Sequence, residues 1–267
     1  MNFGMGLIYV PEHAAEDALL RPLRDERCGL ISAPAPIPVE KDWRPLIDDL
    51  PRQWGTNTCV AQALSAAVEW SALAHGAPVA KPSVRWIYAQ AQWKLNPRGK
   101  LINGGTSSRA AHLAAQEVGM IADARWPWDD ARAASDPDAF VSEDLPFDAD
   151  IAAVDAKLSS WYSADGDADT FEAVCHAIAQ GWMVSISLNV YQNLAEGPGD
   201  LYDDVAGDFL GNHAMLAVAY KKGFGLCLAN WWTKDWNGDG YVWISERFAR
   251  SKFVLARTVV TAIPRTR

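Results

Sequence analysis

Cys59, His213 and Asn230 are the side chains in this sequence that could together supply a nucleophile, its base and a group to orient the base. Gln53 precedes Cys59 by six residues, and the stretch Gln53-Trp54-Gly55-Thr56-Asn57-Thr58-Cys59 is made mostly of small or turn-forming residues. From Cys59 the pattern turns helical: Val60, Leu64 and Val68 recur every four residues, and no Pro or Gly intervenes before Gly76. This predicts a helix over 59–75 with Asn57 or Thr58 as its N-cap. A cysteine in that first turn meets unpaired N–H groups and the positive end of the macrodipole, which favour thiolate over thiol. The plainer alternative is a small buried hydrophobe, a common fate of free cysteine.

A nucleophilic thiol needs a base. His13 lies in an irregular entry stretch, His75 precedes a helix-ending glycine, and His112 and His176 sit in amphipathic helices, so all four read as structural or solvent-facing. His213 opens the apolar run His213-Ala214-Met215-Leu216-Ala217-Val218 directly after a turn, so its ring can point from a strand end into a cleft. The alternative is a surface histidine at a turn. Seventeen residues on, Asn230 ends the partner strand of the same hairpin, where its side chain can accept a bond from the imidazole and orient it. Trp232 could shield that bond from water, although a core role explains a tryptophan equally well.

The elements that must position these groups change character midway. Helices are expected at 59–75, from Ser83, and at about 107–118 after the turn Asn103-Gly104-Gly105-Thr106. Residues 129–150 are acidic, contain Pro137 and Pro146, and read as a crossing loop. A strand near Lys157–Tyr162 and a helix at about 169–180 follow. Val184, Ile186, Leu188 and Val190 then alternate with polar residues as a strand. Strands at 214–220 and 225–230 form a hairpin about Lys221-Lys222-Gly223, and two more, at 240–245 and 253–262, complete the pattern. Helices first and strands second predict an α+β protein. Residues 1–50 form an irregular segment with a short polyproline-like spacer at Ala33–Pro38, 51–130 a helical lobe with the nucleophile, and 131–267 a β-rich lobe with His213 and Asn230.

Composition excludes other classes. A formal charge of −9 without a basic run argues against nucleic-acid binding. No apolar run approaches the length of a membrane span. Four scattered cysteines without a CxxC pair make neither a disulfide framework nor a metal signature, so no cofactor or metal is expected. The first ten residues lack a positive n-region, which points to the cytoplasm or another reducing compartment.

Taken in order, these motifs resemble the papain-like (C1) cysteine peptidases. Gln53 through Cys59 is similar to the family's glutamine–cysteine segment. Asn103-Gly104-Gly105 is similar to its Asn-Gly-Gly turn, and Glu117-Val118-Gly119 with Trp126-Pro127-Trp128 to its Gly…Tyr-Pro-Tyr stretch. Asn212-His213-Ala214 resembles the histidine strand, and Asn230-Trp231-Trp232 through Trp236 and Gly240-Tyr241 the Asn-Ser-Trp-Gly signature. His213 and Asn230 follow Cys59 by 154 and 171 residues, somewhat more than usual for papain-like enzymes.

The resemblance implies a two-lobed papain-like fold with the groove between its lobes, and hydrolysis of peptide bonds in peptides or proteins through a thioester. It implies Cys59 as nucleophile, His213 as base, Asn230 as orienting group, and Gln53 with the Cys59 N–H as oxyanion hole. Gly104 and Gly105 would admit a substrate main chain, with Trp232 nearby. The chain also departs from the family. Thr56 and Ile102 stand where a customary disulfide has its two cysteines, Val60 replaces a tryptophan, and Asn57 and Thr233 replace glycines. Residues 1–50 are too short for, and unlike, the family's inhibitory propeptide, so occlusion by a removable prodomain is not expected.

A competing motif, Asp235 through Glu246, fits the EF-hand loop, but it lies among strands and coincides with the Trp…Gly-Tyr segment. Two rival functions use the same chain. One is a catalytically idle papain-fold module for binding or assembly, for example in a bacterial or phage particle. The other is a Cys–His amidase or transglutaminase-like enzyme.

Overall fold

The computed structural model describes residues 4–9, 36–149, 153, 156–158 and 160–261. His13, Cys28 and residues 33–35 of the proline-rich spacer lie outside them.

Three helices carry the first half. Helix α1 (Cys59–Ala74) is buried along nearly its whole length, because alanines let neighbouring elements approach on every side. Helix α2 (Val84–Leu95) starts where the Ser83 hydroxyl accepts the Trp86 N–H, and α3 (Ser108–Glu117) where Ser107 accepts the Ala110 N–H. The acidic stretch expected to be loop contains two short helices, Asp130–Ser135 and Pro137–Val141. Asp129 and Asp136 cap them, and Pro137 sits in a first turn, where its missing N–H costs nothing.

The second half is antiparallel. Its strands are β1 (Glu40–Asp42), β2 (Trp161–Ser163), β3 (Val184–Tyr191), β4 (Phe209–Lys221), β5 (Gly225–Ala229), β6 (Tyr241–Ser245) and β7 (Val254–Val260), with helix α4 (Thr170–Ala179) packed on them. The sheet order is β2-β7-β3-β4-β5-β6, and β1, from the stretch read as irregular, pairs with β4. Ser185 and Ser187 of β3 are buried, not solvated: Ser187 Oγ meets Ser108 Oγ at 2.9 Å, so α3 covers that face.

Strand β4 begins four residues before His213, so His213 lies inside it opposite Leu188 and does not open it. Pairing with β3 overrides the turn-forming tendency of Gly211-Asn212. The two strands are also joined there by Asn189 Nδ2 donating to Asn212 Oδ1 at 2.8 Å. One apolar cluster runs from α1 to β4 and β5, including Cys59, Leu64, Ala214, Leu216 and Trp231, and it fixes the helix that carries the thiol against the strand that carries the imidazole.

Candidate active site

Cys59 is the first residue of α1 and is fully buried. Its sulfur is approached by main-chain N–H groups of Ala214, Gly6, Val60 and Cys59 itself. Ala214 follows His213 directly, so the thiol lies beside the backbone that carries the imidazole. His213 Nε2 stands 2.8 Å from Asn230 Oδ1, and that oxygen also accepts the Trp231 N–H at 2.8 Å. Because a main-chain N–H can only donate, the shared atom is an acceptor and Nε2 must carry the proton. The neutral ring therefore keeps a lone pair on Nδ1, which is buried and has no hydrogen-bond partner.

Trp232 lies stacked on the His213 ring, centroids 4.8 Å apart, and edge-on to Trp236. At 1 % exposure it covers the imidazole and offers no open surface to a substrate. Trp231 was given no separate role by the sequence, yet it ties the site together. Its carbonyl accepts the Gln53 N–H at 2.7 Å, and its indole donates to the Ala214 carbonyl at 2.8 Å.

A short stretch of the chain's own entry segment lies over the thiol. Residues 4–9 cross the site. Gln53 Nε2 donates to the Gly4 carbonyl at 2.6 Å and to the Thr56 carbonyl at 3.1 Å. The Leu7 N–H reaches the Asn212 carbonyl at 3.4 Å, while Thr106 donates to the Gly6 carbonyl and accepts from Ile8 N–H, both at 2.8 Å. Glycine makes this fit possible. A Cβ on Gly6 would lie 1.9 Å from the Asn57 carbonyl oxygen, and one on Gly105 would lie 2.2 Å from the Gly6 oxygen. The alternating glycines Gly4 and Gly6 were the available signal in the sequence. Their meaning depends on which surface they touch.

Coverage sets the electrostatics. Burial pushes the Cys59 thiol up to about 11, against the pull of the surrounding N–H groups. Burial also lowers His213 to about 4, with the Asn230 bond acting in the opposite direction. Both groups are thus neutral when covered, and the thiolate expected from the helix terminus loses to desolvation.

Gly104 and Gly105 lie in the expected turn, but the peptide pairs with the main chain of the next residue, Thr106. The EF-hand-like loop has its side chains engaged within the protein: Asn237 Oδ1 accepts Gly199 N–H, Asp239 Oδ1 accepts Tyr241 N–H, and Glu246 accepts from Gly223 N–H and the Arg250 guanidinium. Among the described residues no group of three or more His, Cys, Asp or Glu converges as a metal site. Nor is any described helix long and apolar enough to cross a membrane.

The chain matches no family model and no curated protein sequence. Its architecture is similar to that of xylellain, a cysteine protease from Xylella fastidiosa, with a TM-score of 0.76 and 20 % identity over 98 % of this chain and 97 % of that one. It is also similar to procathepsin B S9 from Trypanosoma congolense, at TM-score 0.72 and 18 % identity over 98 % and 87 % of the two chains. For the bromelain protease of Ananas comosus the values are 0.63 and 14 %, over 85 % and 100 %. At such identities the likeness is one of architecture, and that architecture is the papain-like α+β fold.

Proposed function

We propose that the chain is a papain-like cysteine peptidase that holds its own residues 4–9 in the substrate cleft. The observation that carries this reading is the His213–Asn230 contact. It leaves the His213 Nδ1 lone pair unpartnered on the strand whose next residue, Ala214, donates to the Cys59 sulfur. The similar structures named above are cysteine proteases, which supports the same activity for this chain. The peptide lying in the cleft supports a peptide or protein as substrate, since it is gripped through its main chain.

In the reaction, His213 Nδ1 takes the Cys59 proton as the sulfur attacks the substrate carbonyl carbon. The Gln53 amide and the Cys59 N–H receive the oxyanion, in the position where the Gly4 carbonyl now engages Gln53. As the intermediate collapses, the imidazolium gives its proton to the departing amine and a thioester remains. Water, activated by the same imidazole, then releases the acid and restores the thiol. Asn230 keeps the Nε2–H tautomer throughout.

The test is hydrolysis of a broad-specificity fluorogenic peptide by the chain and by a Gly6→Val variant that cannot seat the covering segment. Cleavage by Gly6→Val, abolished by Cys59→Ser in the same background, supports the peptidase. No cleavage by any form, with Cys59 freely alkylated, would overturn the peptidase reading and leave the binding module and the amidase or transglutaminase-like enzyme.

A further inference from the structure

Gly105 occupies the centre of the substrate-facing turn, yet both of its main-chain groups are already engaged on the far side. Its N–H donates to Tyr88 Oη at 2.9 Å, and its carbonyl accepts from Gln92 Nε2 at 3.1 Å. The same two side chains hold the start of the turn. Ile102 O accepts from Tyr88 Oη at 2.8 Å and from Gln92 Nε2 at 2.7 Å, and Gln92 Oε1 accepts the Ile102 N–H at 3.0 Å. Gln92 Nε2 also lies 2.9 Å from Tyr88 Oη, four residues apart on one face of α2, so its two hydrogens are shared among the three oxygens. Both are buried.

Gly105 stands at φ +83°, a left-handed conformation open to glycine, and from there both of its main-chain groups face α2. With Gly105 turned toward α2, Thr106 is turned toward the cleft, where its two groups hold Gly6 and Ile8. We propose that Tyr88 and Gln92 are positioning residues that make Thr106, not Gly105, the residue on which a substrate main chain pairs. Gly105 then serves by lacking a side chain, since a Cβ would strike the bound peptide. The inference rests on the peptidase reading for the word substrate. The choice of docking residue can be tested without turnover.

The test uses the full chain with Gly6→Val, which expels the covering segment, and follows amide hydrogen exchange at single residues by NMR. The Thr106 amide should exchange at least about tenfold faster than in the unaltered chain, having lost its one acceptor. The Gly105 amide should stay slow and should quicken only when Tyr88→Phe is added. Equal acceleration of Gly105 and Thr106 in Gly6→Val alone overturns the proposal, as does an unchanged Thr106. If Gly6→Val does not fold, Gly4→Val, whose Cβ would lie 1.9 Å from the Thr56 carbonyl oxygen, displaces the segment in its place. Kinetics add a second readout. Tyr88→Phe should raise KM for an extended peptide about tenfold, one hydrogen bond's worth, while kcat and the alkylation rate of Cys59 hold. An unchanged KM argues against a positioning role. Absence of cleavage in every form sinks the peptidase reading alone, because the exchange rates still identify the docking residue.

Discussion

Asn57 donates two bonds of 2.6 Å to Asn103: its N–H to Asn103 Oδ1, and its Nδ2 to the Asn103 carbonyl. They stand next to Thr56 and Ile102, the positions where the resembling family has a disulfide. The loop before the nucleophile is thus tied to the glycine turn by amides instead of sulfur. Asn103 Nδ2 also donates to the Gly55 carbonyl and to Asp138. Asn103→Ala removes three of these bonds and leaves the Asn57 N–H unpaired, so it should cost about 2–3 kcal/mol. A urea titration reads this as a lower midpoint at unchanged slope. A loss under about 0.5 kcal/mol would mean that solvent replaces the pair at no cost.

Covering the thiol has a chemical signature. With Cys59 held at about 11, little thiolate exists at neutral pH, and the unaltered chain should react slowly with iodoacetamide. Gly6→Val drives a Cβ into the Asn57 carbonyl and displaces the segment. A return of the thiol to its ordinary range raises the thiolate fraction about a hundredfold. Mass spectrometry of the alkylated peptide should show that increase at Cys59, with Cys175 and Cys227 still protected by burial. The same rate in both chains would show that residues 4–9 do not control the thiol.

Gln53→Ala separates holding the segment from doing chemistry. The amide grips the Gly4 carbonyl, so its loss loosens the cover and should speed alkylation of Cys59. It is also the proposed oxyanion donor, so turnover in the Gly6→Val background should fall about 10²- to 10³-fold. The two effects have opposite signs, and a general disruption of the fold cannot produce both. Turnover within about threefold of the parent would remove Gln53 from the mechanism.

Periodic and capped elements were readable from local sequence. Cys59–Ala74 shows its pattern in Val60, Leu64 and Val68, and Ser83 marks a helix start by chemistry that needs no tertiary context. Gln53, Cys59, His213 and Asn230 could be singled out as candidates because each sits at an expected element end or in a recognisable run. What escaped depends on partners distant in sequence. Pairing with β3 carried β4 back past Gly211, which a local rule reads as a turn. Gly4 and Gly6 look like flexible chain until the Thr56 and Asn57 carbonyls are seen against them. Tyr88 and Gln92 look like ordinary helix residues because the bonds that matter go to a turn beyond the end of their own helix.

Acid should weaken the fold through two buried imidazoles. His213 and His112 are each lowered to about 4, both mainly by burial. His112 Nδ1 bonds the Ser108 carbonyl, and its ring packs against Trp161. Between pH 6.5 and 4 the unfolded chain binds these protons and the folded chain does not, so stability falls as pH falls. Each histidine contributes a slope of about 1.4 kcal/mol per pH unit over most of that window. Glu69 and Asp123, raised by burial, act in the opposite sense, but only toward the carboxylate range. Urea midpoints taken from pH 7 to 5 should therefore decline. His112→Phe keeps an aromatic ring against Trp161 and should remove about half of the decline. A pH profile that His112→Phe leaves unchanged would mean that the His112 ring is reached by water and protons in the native fold, and that its burial is not maintained in solution.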